Sequence, residues 1–327
     1  MSKLKKFIDN KEESPRGTVK DRNRSRDKVT DLKTAVANYV HDGCSLCLGS
    51  AIAREPMAVA REIIRQGKKD LTLIETAKTS SGELLVGMGC LKKIEIAYFW
   101  IGVIGQGYNF RRAIEKGVPL KPELEEYSML SSSLRLLAGS MKVPFLPTKS
   151  LIGSDLPKVN PKIKIIDDPY TGEKIALVPA INPEVTFIHV QKCDPLGNAV
   201  ILGNLWNDST SARAAICTVL TCEEIISEEE IRRNPNMTAI PHYCVDAVVH
   251  LPFGAHPEPV DGYYWMDQPF RKNFVELSKT REGFLQWIDD WVYGCEENDQ
   301  YLNKLGRDRL DALRDLEQKY RQGMTGP

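Results

Sequence analysis

The sequence predicts an α/β protein built on an open, mostly parallel sheet, with helices on both faces and a helical C-terminal segment. Two observations carry this. Short apolar runs alternate with stretches of helical spacing, and strands apolar throughout belong to parallel sheets covered on both faces. From about residue 270 the strand-like runs stop, and helical spacing continues to about residue 322.

The elements follow in order. Thr30 reads as the cap of a helix, because Leu32, Ala35, Val36, Tyr39 and Val40 recur at helical intervals. Residues 45–48 form a short apolar strand ended by Gly49. Pro56 stands where a helix begins, and Gly67 where it ends. Residues 71–74 are the next strand, followed by a hydroxyl-rich loop over 76–82. Residues 94–100 are a strand leading into a glycine-rich loop and a helix over 109–116. A helix over 131–138 precedes a strand at 143–146, closed by Pro147. The second half repeats the alternation, with strands at 175–178, 186–190, 218–222 and 245–251 and a helix over 210–216.

Residues 1–28 have a different texture, with ten Lys/Arg against five acids and almost nothing apolar. They read as a basic, partly ordered N-terminal extension (1–29) ahead of a single domain (30–327) whose tail, about 270–322, is helical. Over the whole chain 44 basic residues balance 44 acidic ones in 327 residues. A polyanion binder would show a basic excess, so a nucleic-acid partner is excluded. The longest charge-free stretch, residues 96–110, is shorter than the roughly 18 residues of a membrane span. The N-terminus lacks the apolar core of a signal peptide, and eight cysteines in so long a chain read as reduced thiols. The expectation is a cytoplasmic protein without a membrane partner.

Cys44 and Cys47 form a CxxC, but flanking a strand they point to opposite faces. The five histidines show no ligand spacing, so no metal site is expected. No nucleophile elbow is present. The acidic run 223–230 reads as helix-capping charge, with Ser227 and Glu230 as a capping box, and His256 as a structural or interface histidine. The glycines at 102, 105 and 107 follow a strand and open a helix, a context that suits either a tight turn or a phosphorylated or thioester ligand. Three successive strand ends then converge: Gly49, Ser50 and Arg54; Thr79, Ser80 and Ser81; and the 98–107 loop with Tyr98 and Gly105. Backbone N–H groups, hydroxyls and a guanidinium there suit a small anionic ligand.

Residues 42–56 (DGCSLCLGSAIAREP) resemble the signature of family I coenzyme A transferases. Asp42, Gly43, Leu46, Leu48, Gly49 and Pro56 match it, whereas Cys47, Ser50, Ala51 and Arg54 depart from it. Further strings at 144–147, 195–198, 221–233, 244–249, 254–257 and 301–306 are similar to the α subunit of the glutaconate type. Together they run from about residue 30 to 310.

The resemblance implies a site shared between an α and a β half, in an α2β2 or higher heteromer. Coenzyme A enters as a substrate, and no permanently bound cofactor is implied. A β-chain glutamate attacks the acyl-CoA thioester and becomes a glutamyl-CoA thioester that passes CoA to an acceptor acid. The nearest strings here, Glu115-Lys-Gly117 and Glu297-Asn-Asp299, follow no buried strand. No catalytic residue is therefore expected in this chain, which is inactive alone. It recognises the acid through Gly49, Ser50, Arg54, Ser80, Ser81, Tyr98 and Gly105. A dicarboxylate would want a second cation from Arg54, Lys78 or Arg111; an aromatic acid would use Tyr98, Phe99 and Trp100. Two alternatives stay open. One is the α chain of a CoA-thioester ring-opening hydrolase, with Glu126 as its acid; the other is a non-catalytic scaffold.

Overall fold

A computed structural model describes residues 27–324. The first half alternates as β1 (Val29–Thr30), α1 (Leu32–Tyr39), β2 (Ser45–Cys47), α2 (Met57–Arg65), β3 (Leu71–Ile74), β4 (Ala77–Lys78), α3 (Ser80–Gly87), β5 (Leu91–Ile96), β6 (Tyr98–Phe99), α4 (Tyr108–Lys116), β7 (Glu123–Glu126) and α5 (Met129–Met141). Next come β8 (Phe145–Thr148), α6 (Leu156–Val159), β9 (Lys164–Asp167) and β10 (Lys174–Pro179). The second half holds β11 (Val185–Cys193), β12 (Ala199–Val200), α7 (Asp208–Ala214), β13 (Cys217–Ile225), α8 (Glu228–Arg233), β14 (Thr238–Ile240) and β15 (Ala247–His250). Four helices close the described chain: α9 (Gln268–Ser278), α10 (Arg281–Ile288), α11 (Asn298–Leu305) and α12 (Arg307–Met324).

The main sheet runs β1-β15-β13-β11-β2-β3-β5-β7, with every neighbouring pair parallel. The alternation of apolar runs and helices is thus realised as a parallel sheet, and the tail is helical as read. The basic extension lies, up to residue 26, outside the described residues. All eight cysteines are free and buried. No described helix is long and apolar enough to cross a membrane.

Strand order reverses at β2. The chain proceeds outward from β2 through β3, β5 and β7, then returns to β2's other side with β11. Open α/β sheets bind ligands outside the carboxyl ends of their strands at such a switch point. Here that point is Leu48 to Arg54, immediately after β2.

Several local readings are corrected. Asp31, not Thr30, caps α1: its carboxylate accepts the Thr34 amide at 2.7 Å, while Thr30 is used in β1. The strands read at 143–146 and 175–178 do not join the parallel sheet. They become β8 and β10 of a separate antiparallel sheet, β8-β10-β9. Its one-sided cover explains this, since β8 alternates exposed and half-buried positions. The hydroxyl-rich loop is mostly structure, with β4 followed directly by α3. Ser227 does cap α8, accepting the Glu230 amide at 3.2 Å. Glu223, however, leaves the capping run: it is buried in β13, accepting the Phe253 amide at 2.8 Å and the Tyr264 hydroxyl at 2.9 Å, with His189 Nε2 at 2.7 Å. His256 is structural. Buried, it lies between the Tyr301 hydroxyl (2.7 Å) and Asp267 (3.1 Å), fastening the C-terminal helices to the body.

Candidate active site

Gly49 carries the turn out of β2. Its φ is +62°, and a Cβ there would lie 3.1 Å from the Phe187 carbonyl of β11 and 3.4 Å from Asp208. Only glycine lets the chain pass so close to the neighbouring strand in a left-handed conformation. The following loop is anchored from beneath. Glu75 accepts the Leu48 amide at 2.5 Å, Lys78 Nζ donates to the carbonyls of Leu48 (2.9 Å) and Ser50 (3.3 Å), and Thr79 Oγ1 donates to Ala51 O at 2.8 Å. Among the described residues, no acceptor meets the amides of Ser50, Ala51, Ile52 and Ala53. A run of free N–H groups is the backbone feature that binds oxyanions.

Arg54 does not face this loop's ligand. Its guanidinium is wholly buried, paired with Asp208 at 2.7 Å and donating to the carbonyls of His189 (3.1 Å) and Asn204 (2.5 Å). The expectation that Arg54 receives a carboxylate is corrected: a guanidinium already engaged by Asp208 inside the protein has no fork to offer.

Ser80 and Ser81 are also turned inward. Ser81 donates to Glu55 through its amide (2.9 Å) and hydroxyl (2.5 Å), Thr79 Oγ1 also meets Glu55, and Ser80 Oγ donates to Glu258 at 2.5 Å. Both serines shape the floor rather than expose their hydroxyls. Tyr98 pairs with Ala77 across β4 and β6 and is half exposed beside the same strand ends. Gly105 is packed toward Val275 of α9. The end of the glycine-rich loop is occupied by a carboxylate. Glu83 accepts the Asn109 and Phe110 amides at 2.9 and 3.0 Å, capping α4, and a Cβ on Gly107 would strike that carboxylate.

Beneath the loop lies a buried charge cluster that no spacing announced. Lys78 is 3.4 Å from Glu75 and 3.7 Å from Glu55, and Arg271 is 3.0 Å from Glu258. Burial works against the Lys78 ammonium, but Glu75 and Glu55 outweigh it and hold its pKa above the ordinary value. Burial pushes Glu75 and Glu258 each up to about 7, against the pull of Lys78 on the first and Arg271 on the second. Cys47 beside them is pushed up to about 12 by burial and by Glu75, which leaves it a thiol at neutral pH. The one advance signal was density, with eleven charged residues from 54 to 83 around two strand ends.

Burial likewise pushes Glu83 up to about 7. A carboxyl whose folded pKa exceeds its unfolded one stabilises the fold fully below the unfolded value, about 4.3, and loses that contribution as pH rises through 7. Between pH 5 and 8, wild type should therefore lose up to about 3 kcal/mol relative to Glu83→Gln, which has no titration there. Urea midpoints of the two proteins across that range check it, and parallel curves would contradict it.

A cleft of about 290 Å³ is lined by Thr76, Met129, Leu130, Ser133, Trp206 and Asn207. Asn207 donates to Thr76 (2.6 Å) and Ser133 (3.1 Å), and the next residue, Asp208, is the one that nears Gly49. Glu126 is exposed at the end of edge strand β7, three strands or about 14 Å from β2. It does not itself line the cleft, although Met129 and Leu130 just after it do. Among the described residues no group of three His, Cys, Asp or Glu could hold a metal.

Comparison with known proteins identifies the family. The coenzyme A transferase family model matches residues 29–251, which contain both the loop and most of the buried cluster. The α subunit of glutaconate CoA-transferase from Acidaminococcus fermentans is 40% identical over 88% of this chain and 94% of its own. The crystal structure of that enzyme superposes with a TM-score of 0.83, covering 88% of this chain and 95% of the matched one. The α subunit of 3-oxoadipate CoA-transferase from Pseudomonas knackmussii is 36% identical, over 85% of this chain and 98% of that one. The IpdA subunit of a cholesterol ring-cleaving hydrolase from Mycobacterium tuberculosis is more distant, at 28% over 84% and 96%. A free-amide loop at the switch point of a parallel sheet, matched along most of its length to these α subunits, places this chain in the coenzyme A transferase family as the α-type subunit of a CoA-transferase.

Proposed function

We propose that this chain binds the acid substrate of a two-subunit CoA-transferase whose nucleophilic glutamate sits on a partner β subunit. The free amides of the 50–53 loop carry the proposal: among the described residues they are donors without acceptors, and they lie at the switch point. The chain's own glutamates near the loop do not compete for the nucleophile's role. Glu55, Glu75 and Glu258 are buried and engaged by Ser81, Leu48 and Ser80.

In the proposed reaction the partner's carboxylate adds to the acyl-CoA carbonyl and expels CoA thiolate, leaving an acyl-glutamyl anhydride. The thiolate then adds to the glutamyl carbonyl, releasing the donor acid and leaving a glutamyl-CoA thioester. The acceptor carboxylate runs the same two steps backwards and leaves as its CoA ester. Each addition makes a tetrahedral oxyanion, and amides aimed at such an oxygen stabilise it more than the ground state.

For the acid itself we propose a short dicarboxylate or oxo-acid, the class for which both α-subunit relatives are named. Its distal end would meet the hydroxyls and amide of Thr76, Ser133 and Asn207, not a cation. Arg54 and Lys78 are sealed in ion pairs, and the exposed Arg111 is engaged with Glu115 at 2.7 Å. An aromatic acid is less well served, since Phe99 is stacked on Phe110 at 4.1 Å.

Co-expression with a β subunit carrying the glutamate turn, followed by an assay of acetyl-CoA-dependent transfer to a panel of acids, tests this. The complex should transfer CoA to dicarboxylates and trap a borohydride-sensitive enzyme thioester on the partner, while this chain alone does neither. A complex without either property, or a thioester trapped on this chain, would overturn the proposal.

A further inference from the structure

We propose that Lys78 is a positioning residue that sets the peptide planes of the 48–52 loop so that its amides face the oxyanion. The proposal rests on the transferase reading above and deepens it. Lys78 is fully buried, so its ammonium is not a ligand for the substrate. All its short contacts are internal: the carbonyls of Leu48 and Ser50, and the carboxylates of Glu75 and Glu55.

The stereochemistry follows from the planar trans peptide, in which C=O and N–H point in opposite directions. With the Ser50 carbonyl drawn down onto Lys78, the Ala51 amide must point up and away from it. Thr79 draws the Ala51 carbonyl down in the same way, which turns the Ile52 amide away as well. Ile52 is more than half exposed, so that side of the loop faces outward. Glu75 completes the clamp by holding the Leu48 amide at 2.5 Å, and it also neutralises the ammonium that holds the Leu48 carbonyl. At the far end the Arg54 amide donates to Pro259 O at 2.8 Å, so the loop is pinned at both ends.

A buried lysine bonded to backbone carbonyls is a costly anchor: burial opposes its charge, and two buried carboxylates are needed to keep it. A hydrophobic residue would fill the same space without that penalty but would leave the carbonyls free to flip. The ammonium's three donors give the loop one defined set of plane orientations, which an amide-lined oxyanion site requires.

The test compares wild type with Lys78→Met and with Lys78→Met/Glu75→Gln. The double variant removes one buried cation and one buried anion together, so it keeps the charge balance if the single one fails to fold. Two readouts are taken on each αβ complex: transfer kinetics, and hydrogen exchange of the peptide containing Leu48 with a β13 peptide as internal control. We expect kcat to fall about 100-fold with KM for acyl-CoA within about threefold. Leu48 should exchange at least tenfold faster while β13 is unchanged. A folded double variant with wild-type kcat, or with wild-type exchange at Leu48, overturns the role of Lys78. An inactive wild-type complex sinks the transferase reading instead, and the exchange of Leu48 then decides the clamp by itself.

Discussion

Replacing Arg54 with methionine is expected to destabilise the protein by about 3–5 kcal/mol, the typical penalty for removing one partner of a buried ion pair. The effect is large because both members of the Arg54–Asp208 pair have wholly buried side chains. Asp208 would be left charged in the interior, where burial already holds its pKa above the usual carboxylate range despite Arg54. The guanidinium's bonds to the His189 and Asn204 carbonyls would go as well, freeing the segment that leads into α7. Chemical denaturation measures the loss. The double variant Arg54→Met/Asp208→Leu should recover most of it, because the stranded charge is gone. Arg54→Met with wild-type stability would show that water reaches the pair.

The second large effect is expected at Gly49. Alanine there would adopt the left-handed φ of +62° at about 1–2 kcal/mol, and its methyl would press on the Phe187 backbone carbonyl at 3.1 Å. Neither β11 nor its carbonyl can yield easily, since β11 pairs with β13 along eight residues. The loop must give instead. We expect about 2 kcal/mol of lost stability and a fall of about 100-fold in transfer by the αβ complex. Together, denaturation and transfer kinetics separate the two effects. Wild-type transfer by Gly49→Ala would place the acid elsewhere.

Much of the frame was legible. The strands at 45–48, 71–74, 186–190 and 218–222 all lie in the parallel sheet, because an unbroken apolar run is what a strand covered on both faces requires. Gly49 was readable as the end of its strand. The antiparallel β9 was not, since all four of its residues are exposed and its only isoleucines, Ile165 and Ile166, are adjacent rather than alternating. Nor was the edge strand β7, whose sequence Glu-Leu-Glu-Glu carries three acids. It is held by ionic contacts instead: Lys93 lies 2.6 Å and Lys162 2.9 Å from Glu125, which keep that carboxyl down at about 2 although burial raises it.

The candidate site divides the same way. From residue types, Arg54, Ser80 and Ser81 looked like groups offered to a ligand. Their types are correct for anion binding, and their direction is reversed. Direction depends on which partners the fold brings from far along the chain: Asp208 for Arg54, Glu258 for Ser80, and Lys78 for the Leu48 and Ser50 carbonyls.

The parallel α/β frame, the helical tail and the strand end that carries the coenzyme A transferase signature are all written in local sequence. They depend on apolar period and on glycine, which act over a few residues. Which polar groups remain free at that strand end is settled by long-range packing instead. Charges buried in a low-dielectric interior must find partners, and whichever side chains pair there are withdrawn from the ligand. What is left unpaired is the backbone of the 50–53 loop, whose amides have no acceptor among the described residues and which reaches the surface at Ile52.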